Sequence, residues 1–307
     1  MSQAVVAAGR PLAAGASQVR TPRRGRRLLA SLRGRWLARL ALLILLAVVA
    51  SGLAAPLLAP HAPRVGNLLD SKLPPVWLSG GDARFVLGTD ELGRDILSRV
   101  MYGAQVSLIV GISAVILAGA IGITLGLVAG YFRGRIDDLI MRVADIQLAL
   151  PQILLAIAML AVLGPGLQNV VLVLAITNWV TYARLVRGQV LSVREKEFIE
   201  AARCLGVGHA AIMFRHILPN VMASIIVVAS FAVANTILAE AALSFLGLSV
   251  GPDVPTWGGM VAAGRDQIIT GQWWIYTFPG LAIMLTVLGV NLVGDWLRDY
   301  LDPRLKV

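Results

Sequence analysis

The sequence predicts an all-α integral membrane protein with six transmembrane helices. Of its 307 residues, 57% are hydrophobic and only 14% are charged, whereas soluble domains are about a quarter charged. Several charge-free apolar stretches reach the roughly 20 residues that a helix needs to cross a bilayer. The single cysteine, Cys204, excludes an internal disulfide and a cysteine-based metal cluster within this chain.

The predicted spans follow the charge-free stretches in chain order. The second stretch is rich in glycine, and such small residues allow helices to pack closely in lipid. The stretch 146–183 is too long for one span, and Gly164-Pro165-Gly166 divides it into two. The six predicted spans are 40–59, 100–132, about 146–163, about 168–185, about 219–246 and about 274–293.

Charge bias predicts that both termini lie in the cytoplasm. With this orientation 21 Lys and Arg residues lie inside and six outside, as the positive-inside rule requires. A further loop, 247–272, then lies outside. The predicted organisation is a basic cytoplasmic tail (1–39), a first transmembrane helix (40–59), an external loop with an interfacial helix (60–99), a five-helix core (100–297) that includes the cytoplasmic loop 195–219, and a cytoplasmic C-terminus (298–307).

The N-terminal tail is strongly basic. Residues 1–39 hold nine Arg and no Asp or Glu, a composition that could bind nucleic acid, interact with anionic lipid or precede a secretory signal. The charge-free run 40–60 is longer than a typical signal core, and further spans follow. We therefore interpret the tail as a cytoplasmic segment near membrane lipid and expect no nucleic-acid partner.

A charged segment, EFIEAARCLGVGHAAIMFRHILPN (197–220), interrupts the apolar stretches. Phe198, Ala201, Ala202 and Leu205 fall near one helical face. Gly206 can adopt the left-handed conformation that ends a helix, Gly208 can begin a second short helix, and Pro219 suits the first turn of the next span. The pattern predicts a short helix across the membrane face, either docked in a groove of a cytosolic partner or lying at the interface without one.

These residues resemble the EAA loop of ABC importer permeases. The resemblance rests on Glu200, Ala201 and Ala202, on Gly206 four positions later, and on Leu218-Pro219, while His216 stands where the family has an apolar residue. It implies that Glu200, Ala201, Ala202, Gly206, Leu218 and Pro219 couple this chain to an ATPase.

Three further segments resemble the C-type subunit of the dipeptide/oligopeptide/nickel permeases. They are LGTDELGRDILSRVMYGAQVSL (87–108), AEAALSFLGLSVGPDVPTWGGM and GDWLRDYLDPRLK. From the residues alone, Thr89 or Asp90 could cap an interfacial helix, and Asp95 could pair with Arg99 at i,i+4. The subfamily motif comprises Gly88, Thr89, Asp90, Gly93, Arg94 and Asp95.

The resemblance implies a type I ABC importer permease fold within a heteromeric complex in a bacterial or archaeal cytoplasmic membrane. Its partners would be a homologous permease, two cytosolic ATPases and an external solute-binding protein. None of the three lysines follows a glycine, so there is no phosphate-binding P-loop. ATP and Mg are therefore expected on the ATPases, with no cofactor, metal or catalytic residue here. The implied substrates are di- or oligopeptides, with nickel chelates, glutathione or another small solute as the alternative.

Polar residues in apolar spans tend to face a cavity or a partner helix. Glu240 could instead be structural, paired with a donor from the external loop, and Trp257 could be an interfacial anchor. Candidate pathway or gate residues are Asn178, Thr181, Asn235, Thr236, Glu240, Trp257 and Asn291.

Two other functional classes remain open. A secondary transporter would use midplane carboxylates, for which only Glu240 is a candidate. A membrane hydrolase could use Ser249, since Gly247 to Gly251 spells G-x-S-x-G, but that pattern needs a nearby histidine. The predicted spans contain neither His nor Cys, so direct soft-metal ligands are not expected in the pathway.

Overall fold

The computed structural model describes residues 36–251 and 253–301; most of the basic tail 1–39, Pro252 and residues 302–307 lie outside them. The described chain is helical apart from loops and one isolated bridge between Thr89 and Asp95. Its helices are α1 (Trp36–Leu58), α2 (Ile96–Phe132), α3 (Gly134–Leu148), α4 (Gln152–Leu163), α5 (Leu167–Val193), α6 (Glu197–Cys204), α7 (His209–Phe245), α8 (Trp257–Gly264) and α9 (Trp274–Leu301), with 3-10 turns at Leu68–Asp70 and Arg265–Gln267.

Five of the described helices, namely α1, α2, α5, α7 and α9, are long and apolar enough to cross a membrane. A sixth crossing results if α3 and α4 count as one span, although their axes differ by 89°. The prediction of a single helix over 146–163 is wrong. The break falls just before Gln152, because Pro151 lacks an N–H and disfavours helical conformation in the residue preceding it.

Most of the membrane helices extend beyond their predicted ends. α1 begins at Trp36, α5 continues to Val193, and α9 continues to Leu301. Charge-free stretches mark only the part of a helix that lipid can surround, whereas the backbone hydrogen bonding continues through charged turns at the membrane surface. The charged residues Arg184 and Arg187 therefore lie within α5.

A row of glycines brings α2 and α5 into close contact. A Cβ atom at Gly122 would lie 2.3 Å from the carbonyl oxygen of Trp179, and one at Gly126 would lie 2.6 Å from that of Ala183. At Gly130 it would lie 2.8 Å from Cβ of Val190. The spacing of four residues places these glycines on one helix face, which confirms the close packing expected from the glycine-rich second span.

Helix α3 was missed as an element by the sequence analysis because it carries charged residues. Asp137 forms a two-pronged ion pair with Arg187 of α5, with distances of 2.5 and 2.6 Å. Asp145 pairs with Arg184. These ion pairs hold the polar side of α3 against the charged end of α5.

Candidate coupling segment and outer end

Helix α6 is anchored by one side and exposed on the other. Ile199 and Ala202 are buried in an apolar cluster with residues from α2, α5 and α7. Phe198, Ala201 and Leu205, expected on the same face as Ala202, point outward instead, and Leu205 is 83% exposed. The predicted face is therefore wrong for these three residues, because Ile199 and Ala202 define the side that packs.

Gly206 ends α6 in the left-handed conformation predicted for it, with φ of 74°. Its N–H donates to the carbonyl of Arg203 at 2.9 Å, and the N–H of Val207 donates to that of Ala202 at 3.1 Å. These two bonds form a Schellman motif. Gly208 follows with φ of −63° and precedes α7, which begins at His209 as expected for a second helix.

Helix α7 begins at His209, before the start of the predicted span 219–246. Residues Ile212–Ile217 form a π-helical turn that leads into Leu218 and Pro219. Pro219 lies in the first turn of the α-helical part Leu218–Phe245, as predicted, and this part continues the π turn without a break. Pro219 has no N–H for the carbonyl one α-helical turn earlier, and the wider π turn accommodates this defect. The side chain of Asn220 donates to the carbonyl of His216 at 2.7 Å.

A polar and aromatic cluster joins this segment to the end of α2. The hydroxyl of Tyr131 lies 2.8 Å from Nδ1 of His209, and the guanidinium of Arg203 lies 5.5 Å from the centre of the Tyr131 ring. Nη1 of Arg194 donates to the carbonyl of Tyr131 at 2.5 Å. No sequence pattern predicts this cluster, because its members come from four parts of the chain.

At the opposite end of α2, the subfamily motif forms a compact loop. Oδ1 of Asp90 accepts the backbone N–H groups of Leu92 and Arg94, both at 2.9 Å, and Oδ2 accepts Nε of Arg94 at 2.7 Å. Gly88 and Gly93 have φ of 83° and 69°, which favours glycine at both positions. The hydroxyl of Thr89 donates to the carbonyl of Asp70 at 2.5 Å.

The helix after this loop starts later than predicted. Asp95, rather than Thr89 or Asp90, caps α2, and its Oδ2 accepts the N–H of Ser98 at 2.9 Å. The predicted pair of Asp95 with Arg99 is wrong. Nε of Arg99 instead lies 3.6 Å from Oδ2 of Asp90.

Arg84 ties two parts of the preceding loop together. Its Nη2 donates to Asp70 and to Asp82, both at 2.8 Å. Hydrogen bonds from Arg84 lower the pKa of the Asp82 carboxyl, and the two carboxylates raise the pKa of Arg84. Since these groups are exposed, their main effect is to order the loop rather than to stabilise the fold.

Glu240 is fully buried among hydroxyl groups near the end of α7. Oε1 accepts a hydrogen bond from Ser244 at 2.6 Å and one from Ser249 at 3.3 Å, while Oε2 accepts one from Ser107 of α2 at 3.2 Å. Ser249 belongs to the segment predicted as an external loop. Glu240 thus connects two helices and that loop without facing an open passage in this chain.

Trp257 is 1% exposed and packs between helices. Its Nε1 donates to the carbonyl of Val100 in α2 at 2.9 Å, and a Cβ at Gly103 would lie 2.7 Å from its ring. The side chain of Thr256 caps α8 by accepting the N–H of Gly259 at 3.1 Å. The interpretation of Trp257 as a lipid-interface anchor is therefore wrong, since its ring is enclosed by protein.

The remaining pathway candidates differ in exposure and in hydrogen bonding. Thr181 and Asn235 are exposed, whereas Thr236 is buried and donates to the carbonyl of Ala232 at 2.7 Å. Asn178 is half-buried and accepts a hydrogen bond from Gln152 at 3.1 Å, and Asn291 is half-buried in α9. Their assignment to a pathway stays a prediction.

The helical core and the segment after α5 match a known protein family. Residues 122–307 match the family described as "Binding-protein-dependent transport system inner membrane component". The chain belongs to this family. It is therefore a permease subunit of an ABC importer and an inner-membrane protein, as the EAA-like residues predicted.

The permeases similar to this chain are named for different substrates. This permease is 49% identical over 265 residues to the di/tripeptide transport system permease protein DppC of Pseudomonas aeruginosa (strain UCBPP-PA14), covering 86% of this chain and 87% of that one. It is 47% identical to DppC of Alkalihalophilus pseudofirmus, over 88% and 86% of the two chains. It is also 48% identical to the glutathione transport permease GsiD of Pectobacterium atrosepticum, over 72% and 73%.

A solved structure supports the type I importer fold of this permease. The inward-facing MetNI methionine ABC transporter superposes on this chain with a TM-score of 0.54 and 18% sequence identity. The match covers 66% of this chain and 96% of that chain. At this identity the similarity concerns the fold and not the substrate.

Proposed function

We propose that this permease forms half of the translocation pathway of an ATP-driven importer of di- or oligopeptides. The proposal rests chiefly on 49% identity, over most of both chains, with a di/tripeptide transport permease. The glutathione permease, 48% identical over 72% of this chain, keeps the alternative open, although glutathione is itself a tripeptide. Nickel chelates are the less favoured substrate because no histidine or cysteine lies within the long membrane spans outside their charged ends.

The coupling segment, residues 195–219, is proposed to bind a cytosolic ATPase. Three large apolar side chains, Phe198, Leu205 and Phe214, are exposed there, beside the exposed carboxylate of Glu200. Burial of Ile199 on the other side of α6 fixes its orientation, so that the exposed side can enter a groove on the partner. ATP and Mg would bind to two such ATPases, and this chain would perform no covalent chemistry.

Transport would follow from movement of this segment. The cluster of Tyr131, Arg194, Arg203 and His209 attaches the segment to the end of α2, so displacement of α6 by the ATPase would also displace α2. The ATPases would thereby shift the equilibrium between inward-open and outward-open states. A homologous permease would complete the pathway, and an external binding protein would deliver the peptide.

The proposed orientation places the coupling segment in the cytoplasm together with both termini. Single cysteines at Ser79 and Thr270, introduced in a Cys204→Ser background, should react with a membrane-impermeant thiol reagent added to intact cells. Cysteines at Ser17 and Ser192 should react only after the membrane is permeabilised. Labelling of the Ser192 position in intact cells would reverse the orientation.

The substrate is tested by growth and uptake. A strain that lacks this gene, and has no other peptide importer, should fail to use a required amino acid supplied only as di-, tetra- or pentapeptides. Plasmid expression of the intact chain should restore growth. Normal growth of the deletion strain, together with loss of nickel-dependent enzyme activity, would favour the nickel-chelate alternative.

The two other functional classes have weaker support. The hydroxyl of Ser249 is buried and donates to the Glu240 carboxylate, whereas the serine of a G-x-S-x-G hydrolase is activated by a histidine base. Glu240 itself is enclosed by three serines, an arrangement unlike a carboxylate that exchanges protons with water. Retained peptide uptake in a Ser249→Ala variant would exclude the hydrolase. Loss of uptake on ATP depletion, with the proton gradient intact, would exclude the secondary transporter.

A further inference from the structure

A cavity of about 530 Å³ lies at the end of the bundle opposite the coupling segment. Its walls come from the loop before α2, the first turn of α2, the end of α7, the following loop and α8. Small-molecule sites typically have volumes of 300–1,000 Å³. The cavity is therefore large enough for a ligand of several heavy atoms and much larger than one water molecule.

Arg99 lines this cavity although the residue is only 5% exposed. Its Nη1 donates to the carbonyl of Pro63 at 2.9 Å. Its Nε lies 3.6 Å from Oδ2 of Asp90, which is too long for a hydrogen bond. A guanidinium carries five N–H donors, so Arg99 has donors to spare within the described part of the chain.

The carboxylate nearest to Arg99 already accepts hydrogen bonds from other groups. Asp90 accepts two backbone N–H groups and the Nε of Arg94 at 2.7 Å. Two guanidinium groups, those of Arg94 and Arg99, therefore share one carboxylate. A buried cation with incomplete pairing is costly, and a ligand carboxylate could complete it with two parallel hydrogen bonds.

The opposite charge is present on another wall. Asp253, in the loop between α7 and α8, lines the same cavity and is exposed. Apolar groups such as Met260 and Val254 lie between the polar ones on the lining. The cavity thus combines a cationic guanidinium, an apolar surface and an anionic carboxylate. In this order they complement the carboxylate, the side chains and the ammonium group of a short zwitterionic peptide.

We propose that this cavity is a substrate site at the outer end of the permease, in which Arg99 binds the C-terminal carboxylate of a di- or tripeptide and Asp253 faces its ammonium group. The inference rests on the proposed function, since it assumes a peptide substrate. It adds to that function a transient site on the permease itself, entered after the binding protein releases its cargo. Binding there must be weak, because a tight site would slow passage.

Protection of a single cysteine tests the site directly. Ala263 lines the cavity and is exposed, so the Ala263→Cys, Cys204→Ser chain is purified in its full membrane complex without the binding protein. We expect alanyl-alanine to slow labelling of this cysteine by a thiol reagent, and alanyl-alanine amide to be about tenfold or more weaker, as expected on losing a hydrogen bond between charged groups. The control, Leu69→Cys outside the cavity, should label at the same rate with either peptide.

Protein variants give the second half of the test. Arg99→Gln should abolish the difference between the free peptide and its amide, while Arg99→Lys should keep part of it. Asp253→Asn should weaken the free peptide without affecting its N-acetylated form. Assembly of each variant into the full membrane complex establishes that it is folded.

Two results would overturn the proposal. One is equal protection by the peptide and its amide. The other is protection that requires the binding protein and never occurs with free peptide, which would make the cavity a docking site for a protein side chain. Peptide uptake measured in the parent strain distinguishes failure of the cavity site from failure of the proposed function. Absence of protection with intact peptide uptake refutes only the cavity site. Peptide uptake that does not depend on this gene refutes the proposed function.

Discussion

The hydroxyl of Tyr131, in the last turn of α2, lies 2.8 Å from Nδ1 of His209, the first residue of α7. Between these elements in sequence lie the bent pair α3–α4, helix α5 and the coupling helix α6. The contact therefore closes the coupling segment onto a helix that begins at the other end of the bundle. Arg203 adds a cation–π contact to the same ring.

Removal of the Tyr131 hydroxyl should uncouple ATP hydrolysis from transport in part. Tyr131→Phe keeps the ring that Arg203 contacts but loses a hydrogen bond worth about 1 kcal/mol. We expect fewer peptides transported per ATP hydrolysed, with normal membrane insertion. Tyr102→Phe is the matched control on the same helix, since the Tyr102 hydroxyl has no hydrogen bond within the described part of the chain. Equal transport per ATP in both variants would exclude a coupling role for this contact.

Two glycines in the coupling segment should respond differently to valine. Gly206 has φ of 74° and Gly208 has φ of −63°, and a Cβ at either position meets no atom within 4 Å. Gly206→Val should thus impose about 1–2 kcal/mol of backbone strain, while Gly208→Val should cost little. We expect loss of transport and of ATPase co-purification only for Gly206→Val, with partial recovery in Gly206→Asn. Similar losses in both valine variants would indicate that side-chain bulk matters instead.

The stability of the complex should depend on a hydrogen-bond acceptor at position 240 rather than on the negative charge of Glu240. Glu240→Ala leaves Ser107, Ser244 and Ser249 without their shared acceptor, at a cost of about 1–3 kcal/mol for each buried group left unpaired. Glu240→Gln keeps the shape and an acceptor oxygen. We expect a marked fall in the melting temperature of the purified complex for the alanine variant and a small one for the glutamine variant. A glutamine variant as unstable as the alanine variant would show that the negative charge itself is needed.

The contact between α2 and Trp257 should tolerate no added bulk. A Cβ at Gly103 would lie 2.7 Å from Cδ1 of Trp257, so Gly103→Val should displace the ring and break its hydrogen bond to Val100. Gly280→Val, at a helical position where a Cβ meets nothing within 4 Å, is the matched control. We expect reduced complex yield and peptide uptake for Gly103→Val alone. Normal uptake in that variant would mean that α8 can move away from α2 without consequence.

Features that depend on a few neighbouring residues were predictable from the sequence. The left-handed Gly206 follows from local backbone demands, and the small residues of α2 indicated close helix packing, although they did not show that α5 is the partner. The cap of α2 was not predictable, because Thr89, Asp90 and Asp95 are all acceptable caps. The choice depends on where the loop folds back on itself.

Contacts between distant segments account for what the sequence analysis missed. The charged residues of α3 are typical of a loop between two spans. Its Asp137 can be buried because it pairs with Arg187, fifty residues away. The outward side of α6 was likewise assigned incorrectly, because the burial of Ile199 depends on residues of α2, α5 and α7. The coupling residues could be placed from the sequence by resemblance, but the direction in which each points could not.

The length of α2 has a mechanical consequence. Its 37 residues make a rod about 55 Å long, nearly twice the thickness of the hydrocarbon core. Because the glycine row joins α2 to α5, the two helices resist bending together. A tilt of roughly 10° about the middle of such a rod moves each end by roughly 5 Å, since every residue adds 1.5 Å of lever arm. A displacement of side-chain size at Tyr131 is therefore sufficient to reshape the surroundings of Arg99 at the far end.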